Sequence, residues 1–192
     1  MEASTELLMY DKVKYLKVLI KKYIRSFEDF PVKGVSFKDT AALCNSDGFQ
    51  FANDFISEKL TKYTSESYTD KIIGIDARGF IFASPFAYNK RIPLVLARKK
   101  GKLPGELISK TYDLEYGNST IQIQKDSIAA KDQVIIIDDL CATGGTILAT
   151  IDMVESLNAK VIATLCIIDL PELGGSDKIK EKDIPFYSAV DY

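Results

Sequence analysis

The stretch VIIIDDLCATGGT, residues 134–146, is the part of the sequence that decides the fold. Its first four residues are apolar, which is typical of a strand buried on both faces of a parallel sheet. The run brings Asp138 and Asp139 to the end of the strand, and a short loop with two glycines then opens a helix. Ligands of open α/β sheets bind at the carboxyl ends of the strands. We therefore expect the functional site at residues 138–146.

Three other short apolar runs predict further strands of the same sheet. They are KIIGID at 71–76, IPLVLA at 92–97 and VIATLCIID at 161–169. Helical patterns at 79–90 and 146–158 lie between several of them, so the sequence predicts an α/β fold with a doubly wound, mostly parallel sheet and flanking helices. In STIQIQ, residues 119–124, polar and apolar residues alternate, which predicts a strand with one wet face.

The amino-terminal part of the chain is predicted to be helical around one ordered loop. Residues 9–27 carry apolar side chains at helical spacing with lysines largely between them, which predicts a basic amphipathic helix. Pro31 and Gly34 interrupt regular structure, and a second helix is expected after Asp47. Since no internal repeat or low-complexity tract is visible, we predict a single domain over residues 1–192.

The composition excludes several classes of site. The chain has no histidine and three cysteines, so Ser-His-Asp triads, histidine zinc sites and CxxC clusters are excluded. Neither the GxxxxGK[ST] loop nor the GxGxxG fingerprint occurs. With 25 basic and 27 acidic residues the net charge is −2, which favours neither nucleic acid nor a membrane as a partner. We expect a cytoplasmic protein with reduced thiols, no signal peptide and no metal site of its own.

The residues after the strand predict a site for a phosphorylated sugar. The backbone N–H groups and hydroxyls of the loop can surround a phosphate at the start of a helix. The residues concerned are Ala142, Thr143, Gly144, Gly145 and Thr146. The carboxylates of Asp138 and Asp139 can accept hydrogen bonds from two vicinal hydroxyls, as an acidic residue does for the ribose in dinucleotide sites.

The polar segment 98–125 is a long connection that bears several glycines, and we expect it to form a flexible flap. It begins with a cluster of cations: Arg98, Lys99, Lys100 and Lys102. Arg78, after the strand at 71–76, offers a planar fork of donors that suits pyrophosphate or the edge of a purine. Pyrophosphate would neutralise the positive charge of these two segments.

The signature at 134–146 resembles the phosphoribosyl pyrophosphate (PRPP) signature of the type I phosphoribosyltransferases. Further segments resemble adenine phosphoribosyltransferases in sequence and in order, from about residue 25 to residue 187. They are FPVKGVSFKD, GIDARGF, ARKKGKLPG and YDLEYG. The resemblance implies an enzyme of purine salvage that joins adenine to PRPP, giving AMP and pyrophosphate. It also implies Mg²⁺, bound mainly through PRPP, a small hood formed by residues 1–40, and a homodimer.

The resemblance also implies roles for single residues. Glu115 would accept a proton near the imidazole nitrogens of adenine, and Arg78 would be the second catalytic residue. Asp76 and Ala77 would form a pyrophosphate loop with a cis peptide bond between them. Pyrophosphate and flap contacts would come from Arg98, Lys99, Lys102 and Tyr116. Adenine would lie between the loop at Val35 and Lys38 and the region of Leu170, although Ser36 and Lys38 depart from the residues common in the family.

Two other functions stay open on the sequence. A phosphoribosyltransferase of the same fold can act on hypoxanthine, guanine or orotate instead of adenine. A non-catalytic regulator can retain the PRPP site as a sensor, and the basic helix at 9–27 would then be its surface for nucleic acid. A panel of bases offered with PRPP and Mg²⁺ distinguishes these alternatives.

Overall fold

The computed structural model describes residues 2–65, 69–113 and 117–192, without the side chains of residues 2–10 and 113. The helices are α1 (Glu2–Lys22), α2 (Ala41–Cys44), α3 (Gly48–Thr64), α4 (Gly79–Lys90), α5 (Gly145–Ser156) and α6 (Gly175–Lys180). The strands are β1 (Arg25–Phe27), β2 (Phe37–Asp39), β3 (Lys71–Ile75), β4 (Leu94–Lys99), β5 (Leu107–Asp113), β6 (Asn118–Gln124), β7 (Gln133–Cys141), β8 (Lys160–Asp169) and β9 (Phe186–Asp191). The chain divides into two compact units, Met1–Lys59 and Leu60–Tyr192.

The first unit contains a hairpin that the sequence pattern did not indicate. Helix α1 ends at Lys22, and β1 pairs with β2 in an antiparallel hairpin in which Arg25 lies opposite Asp39. The prediction of a helix up to residue 27 is therefore wrong at its end. The helical spacing of apolar residues continues to Phe27, but strand pairing and a 2.5 Å ion pair between Arg25 and Asp39 determine the backbone here. The loop expected around Pro31 and Gly34 is correspondingly followed by a strand, β2.

The second unit is built on one seven-stranded sheet with the order β5-β6-β4-β3-β7-β8-β9. Strands β4, β3, β7, β8 and β9 are parallel, whereas β6 is antiparallel to both β4 and β5. The chain leaves β3 through α4 toward β4 and leaves β7 through α5 toward β8. Because crossovers are right-handed, these two helices lie on opposite faces of the sheet. The predicted doubly wound, mostly parallel sheet is confirmed.

The core of this unit is made of the apolar runs that predicted the strands. Ile73, Ile136 and Cys166 are completely buried on neighbouring strands, and Ile151 of α5 is completely buried with them. Burial on both faces of the sheet explains why these strands have no alternating polar positions. No helix in the described residues has both the length and the apolar character that crossing a membrane requires.

The predicted flap is a hairpin, β5 and β6, that joins the edge of the main sheet. The segment 98–125 starts within β4, because Arg98 and Lys99 pair with Gln122 and Ile121 of β6. The prediction that β6 has one wet face is wrong, since Gln122, between Ile121 and Ile123, is also buried. Its side chain accepts a hydrogen bond from the Gly101 N–H and donates one to the Ser109 hydroxyl. The flexibility of the hairpin stays a prediction.

Candidate functional site

The candidate site lies between β3 and β7, where the strand order of the sheet reverses. Pairing between these strands ends at Gly74 and Ile137, whereas β7 continues beside β8 as far as Cys141. Asp138 and Asp139 are therefore part of β7, beyond its contact with β3. The sequence predicts a strand that ends at Asp138, whereas β7 continues to Cys141. The prediction is too short because a polar residue such as Asp139 does not indicate strand pairing. An open edge at the switch point of such a sheet is where ligands bind.

The two carboxylates are buried next to each other. Asp138 is 9% exposed and Asp139 is 5% exposed, and the Asp139 N–H donates to Asp138 Oδ1 over 2.9 Å. Burial and the neighbouring Asp139 carboxylate raise the pKa of Asp138 well above its ordinary value. Burial also raises the pKa of Asp139, and the positive charge of Arg78 opposes that rise. Burial therefore disfavours the ionised forms of both carboxyl groups, and the charge of Arg78 partly offsets that effect.

Arg78 lies over the second carboxylate. Its Nε is 2.8 Å from Asp139 Oδ2, an oxygen that is buried and has no aligned hydrogen-bond donor in the described part of the chain. The Arg78 side chain is 40% exposed, so its other donors can reach a ligand. The residue therefore connects the acidic pair to the segment after β3.

Gly79 is necessary for this arrangement, and the sequence pattern did not single it out. A Cβ atom at Gly79 would lie 2.7 Å from Asp138 Oδ1 and 2.9 Å from the Ile137 carbonyl oxygen. Both distances are shorter than van der Waals contact, so only glycine allows α4 to start this close to β7. The only indication of this close approach in the sequence is that a glycine directly follows Arg78, between the predicted strand at 71–76 and the predicted helix at 79–90.

The predicted phosphate loop joins β7 to α5. Gly144 has a φ of 77°, and its carbonyl oxygen accepts the first helical hydrogen bond from Leu148. The loop and the first turn of α5 line a cavity of about 160 Å³ together with Tyr112 of β5. All five predicted loop residues, 142–146, line this cavity. The amide groups at the start of a helix are free to bind an anion there.

A second cavity, of about 370 Å³, lies beside the acidic pair. Its lining joins the end of β3, the acidic pair, one cation of the 98–102 cluster and two residues of the hairpin. The residues are Ile75, Asp76, Ala77, Arg78, Lys99, Tyr112, Ser119, Asp138, Asp139, Leu140 and Thr146. The expected cis peptide bond between Asp76 and Ala77 is present. The lining therefore contains both cations and carboxylates, with Arg78 paired to Asp139.

The remaining cations are held at the edge of this cavity. Asp76 Oδ2 accepts hydrogen bonds from Arg98 Nε over 3.2 Å and from the Lys99 N–H over 3.4 Å. Arg98 also donates to the Lys102 carbonyl oxygen. Arg98 and Lys102 are not among the described residues that line either cavity. Lys99 is the predicted cation of this cluster that faces the site directly.

Comparisons with known proteins decide the family. A family model described as the phosphoribosyl transferase domain matches residues 42–190. Adenine phosphoribosyltransferase of Marinomonas sp. (strain MWYL1) is 43% identical over 174 residues, which are 90% of this chain and 94% of that protein. The enzyme of Clostridium botulinum (strain Hall) is 45% identical over 165 residues, covering 86% of this chain and 94% of that protein. The chain belongs to the adenine phosphoribosyltransferase family.

Solved structures of adenine phosphoribosyltransferases have the same fold. The Saccharomyces cerevisiae enzyme, complexed with an imino-altritol bisphosphate and adenine, matches with a TM-score of 0.85 at 32% identity, covering 92% of this chain and 99% of that one. The Trypanosoma brucei enzyme, in complex with AMP, pyrophosphate and ribose-5-phosphate, matches with a TM-score of 0.82 at 25% identity, covering 92% of this chain and 79% of that one. The expected type I phosphoribosyltransferase fold is thereby confirmed.

The residues expected to bind the base in an adenine phosphoribosyltransferase lie in both units. In the first unit, the Val35 N–H donates to the Val32 carbonyl oxygen, and Lys38 Nζ donates to the hydroxyls of Ser26 and Ser36. In the second unit, Leu170 follows β8, and its N–H donates to the Cys141 carbonyl oxygen over 2.9 Å. Glu115, the expected proton acceptor, and Tyr116, expected on the flap, lie outside the described residues.

Two residues of the hairpin line the site although they were not predicted from the sequence. Tyr112 lines both cavities, and Ser119, its partner across the hairpin, lines the larger one. The segment YDLEYG predicts no role for Tyr112, because a mostly polar strand gives no indication of which of its faces meets the sheet. Its aromatic ring packs against the core, so β5 is fixed beside the phosphate loop.

Proposed function

We propose that this chain transfers the phosphoribosyl group of PRPP to adenine and releases pyrophosphate, giving AMP. The observation that carries the proposal is the meeting of an amide-lined loop, two buried carboxylates and a cationic segment at one switch point. These are the three kinds of group that a 5′-phosphate, two ribose hydroxyls and a diphosphate require. Family membership agrees with this assignment.

The phosphate loop and the acidic pair would hold the sugar phosphate. The N–H groups of residues 142–146 would bind the 5′-phosphate, helped by the positive end of the α5 dipole. Asp138 and Asp139 would accept hydrogen bonds from the two ribose hydroxyls. Thr146 lines both the loop cavity and the larger cavity, which supports placing one sugar phosphate across the two.

The segment after β3 would hold the pyrophosphate. Arg78 and Lys99 face the larger cavity, and the backbone of Asp76 and Ala77 forms its wall. Arg98, which Asp76 holds in place, and Lys102 would add positive charge at the edge. Arg78 lies against Asp139 Oδ2 in the structure. When PRPP binds, its diphosphate would draw the guanidinium away from this oxygen. Asp139 Oδ2 would then accept a hydrogen bond from a ribose hydroxyl.

Mg²⁺ is the metal ion that fits this proposal. The described residues contain no group of three or more His, Cys, Asp or Glu side chains that could hold a metal. Mg²⁺ commonly binds through one or two carboxylates and the phosphates of the substrate. Asp138 and Asp139 would stand beside an ion carried mainly by PRPP oxygens. When bound, the ion neutralises negative charge on the leaving diphosphate.

The transfer needs positioning and charge compensation more than covalent chemistry. Departure of pyrophosphate leaves positive charge on the sugar ring, and the fixed cations of Arg78 and Lys99 stabilise the leaving group. Adenine would bind near Val35, Lys38 and Leu170, and Glu115 would accept the proton released from its imidazole ring. The hairpin, with Tyr116, would exclude water from the reacting carbon.

A homodimer is part of the proposal, and the surface of α4 supports it. Tyr88 is 84% exposed and Ile81 is 41% exposed, and their separation of two helical turns places them on one face. Leu96 of β4 is also exposed, at 39%. Sedimentation velocity of the wild-type chain and of Tyr88→Glu tests this surface, since the variant should sediment as a monomer. A wild-type monomer would contradict the proposal.

A cytoplasmic location completes the proposal. No disulfide joins the three cysteines, all of which lie within the described residues, and Cys141 and Cys166 are buried. Reduced thiols are typical of proteins of the cytosol.

One assay tests the activity and its base. Purified protein is mixed with PRPP and Mg²⁺ together with adenine, hypoxanthine, guanine or orotate, and the nucleotides are separated by chromatography. AMP should form with adenine, and the other bases should give little nucleotide. Formation of another nucleotide at the higher rate would overturn the assignment of adenine. PRPP binding without any nucleotide would instead support the sensor.

A further inference from the structure

The backbone of Gly175, at the start of α6, touches the phosphate loop with no side chain between them. A Cβ atom built on Gly175 would lie 2.2 Å from the Ala142 carbonyl oxygen, 2.4 Å from the Gly144 nitrogen and 2.7 Å from the Thr143 carbonyl carbon. A Cβ atom on Gly144 would in turn lie 2.9 Å from the Gly175 Cα. The two segments are therefore as close as two backbones can be.

The same segment holds the start of the loop by hydrogen bonds. The Gly175 N–H donates to the Ala142 carbonyl oxygen over 3.1 Å, and the Leu170 N–H donates to the Cys141 carbonyl oxygen over 2.9 Å. The last carbonyl group of β7 and the first carbonyl group of the loop are thus bonded to residues 170–175. Both bonds are accepted by carbonyl oxygens, so they use none of the N–H groups of the loop.

A side chain at Gly175 cannot be accommodated by rotation. All three atoms that it would meet belong to the backbone of the loop, and none is the end of a flexible side chain. The loop would have to move by about 1 Å to restore normal contact distances, and hydrogen bonds weaken steeply with displacements of that size.

We propose that Gly175 is a positioning residue for the phosphate loop, setting the amide groups of residues 142–146 in the geometry that binds the 5′-phosphate. The inference rests on the proposed function of that loop. Gly175 is not among the described residues that line the loop cavity or the larger cavity. It acts through the loop by direct backbone contact and by its hydrogen bond to Ala142.

The neighbouring glycine provides a matched control. Gly174 has a φ of 71°, and a Cβ atom there would meet nothing within 4 Å. Alanine at residue 174 is strained in its own backbone but leaves the loop untouched. Gly175→Ala and Gly174→Ala therefore add the same methyl group at adjacent residues with different consequences for the loop.

The binding of AMP is compared with that of adenosine by calorimetry, because adenosine lacks only the phosphate. Gly175→Ala should weaken AMP binding about tenfold or more, which is the loss of one charge-assisted hydrogen bond, and leave adenosine binding nearly unchanged. Gly174→Ala should lower the melting temperature and keep the preference for AMP over adenosine. An unchanged preference in Gly175→Ala, or an equal loss for both ligands, would overturn the inference.

A measurement on the wild-type protein covers the case in which Gly175→Ala does not fold. Hydrogen exchange of the Gly175 amide should slow when AMP is added and slow much less with adenosine, since coupling between two sites is reciprocal. Equal slowing by both ligands would contradict the positioning role. If the wild-type chain makes no AMP, the proposed function fails; if it makes AMP and the preference is insensitive to Gly175, only this inference fails.

Discussion

Removal of the Arg78 guanidinium should impair catalysis in a way that depends on pH. Arg78 Nε lies 2.8 Å from a carboxylate oxygen of Asp139, whose side chain is only 7% exposed. At that distance the Coulomb energy is about 1.5 kcal/mol with the dielectric constant of water and about 6 kcal/mol with an effective constant of 20. The Arg78 side chain is 40% exposed, so screening places the interaction near the lower value.

In the proposed complex Arg78 leaves Asp139 for the diphosphate, so the loss of catalysis comes from the missing contact with the diphosphate. A hydrogen bond between charged groups is worth about 1.5 to 3 kcal/mol, which corresponds to about 10- to 150-fold in a rate or binding constant. We therefore expect Arg78→Ala to lower kcat/KM for PRPP by at least about tenfold. The pKa of Asp139 should also change in Arg78→Ala, and its direction gives a second test. Burial raises the pKa of Asp139 and Arg78 opposes it, so without Arg78 the pKa rises further and the acid limb of the activity moves to higher pH.

The stability of the variant should follow the same titration. A carboxyl group whose pKa is raised by folding destabilises the folded state while it is ionised, and this cost disappears as pH falls below the unfolded pKa. The melting temperature of Arg78→Ala should therefore lie below that of the wild type at neutral pH and approach it in acid. Arg78→Lys is the control, since it keeps the charge but not the planar fork. An alanine variant with an unshifted acid limb and a kcat/KM within twofold of wild type would refute the reasoning.

Three further substitutions test other parts of the second unit and the hairpin. Asp139→Asn should lower kcat/KM for PRPP about tenfold or more, because one carboxylate acceptor for the ribose hydroxyls is weakened; unchanged AMP synthesis in initial-rate assays would refute this. Glu115→Gln should lower kcat in steady-state assays with little change in substrate affinity, whereas a loss of adenine affinity with intact kcat would indicate a role in binding. For Asp152, burial raises the pKa, but hydrogen bonds from Lys110 and Lys182 outweigh it and the net pKa is lowered. Asp152→Asn should therefore lower the free energy of unfolding by about 1 kcal/mol at neutral pH, after allowance for solvent screening. The difference from wild type should vanish as pH falls through the pKa of Asp152 in the folded protein, and also in high salt. Denaturant titrations that show the same difference in acid would exclude an ion-pair origin.

The main sheet could be predicted because its strands are buried on both faces. Runs such as the one before Asp138 leave no room for polar residues, and the glycine-containing loop behind it indicates a ligand at the strand end. The expected helix at 79–90 coincides with α4, because apolar residues at helical spacing, such as Phe82 and Phe86, are buried in the structure. Secondary structure can be predicted from the local sequence where the hydrophobic pattern agrees with the burial of the residues in the fold.

Features that depend on pairing or on close approach could not be predicted. The end of α1 was misplaced because Phe27 continues the helical spacing, while the strand pairing of Arg25 with Asp39 is set by residues far along the chain. Gln122 is polar and buried because its partners come from two other segments. The need for glycine at Gly79 arises from a contact with Asp138 that exists only in the folded chain. The strands β5 and β9 and the helix α6 were missed because their patterns are weak or short.

The attachment of the hairpin to the sheet limits how the active-site cleft can open. Arg98 and Lys99 are joined to Gln122 and Ile121 by strand pairing, so the base of the hairpin is continuous with the rigid body that carries the acidic pair. We therefore expect any motion that admits PRPP to bend the hairpin beyond this junction, because the paired part carries Lys99, which lines the larger cavity. The wall that would face the diphosphate should then keep its shape while the rest of the hairpin moves.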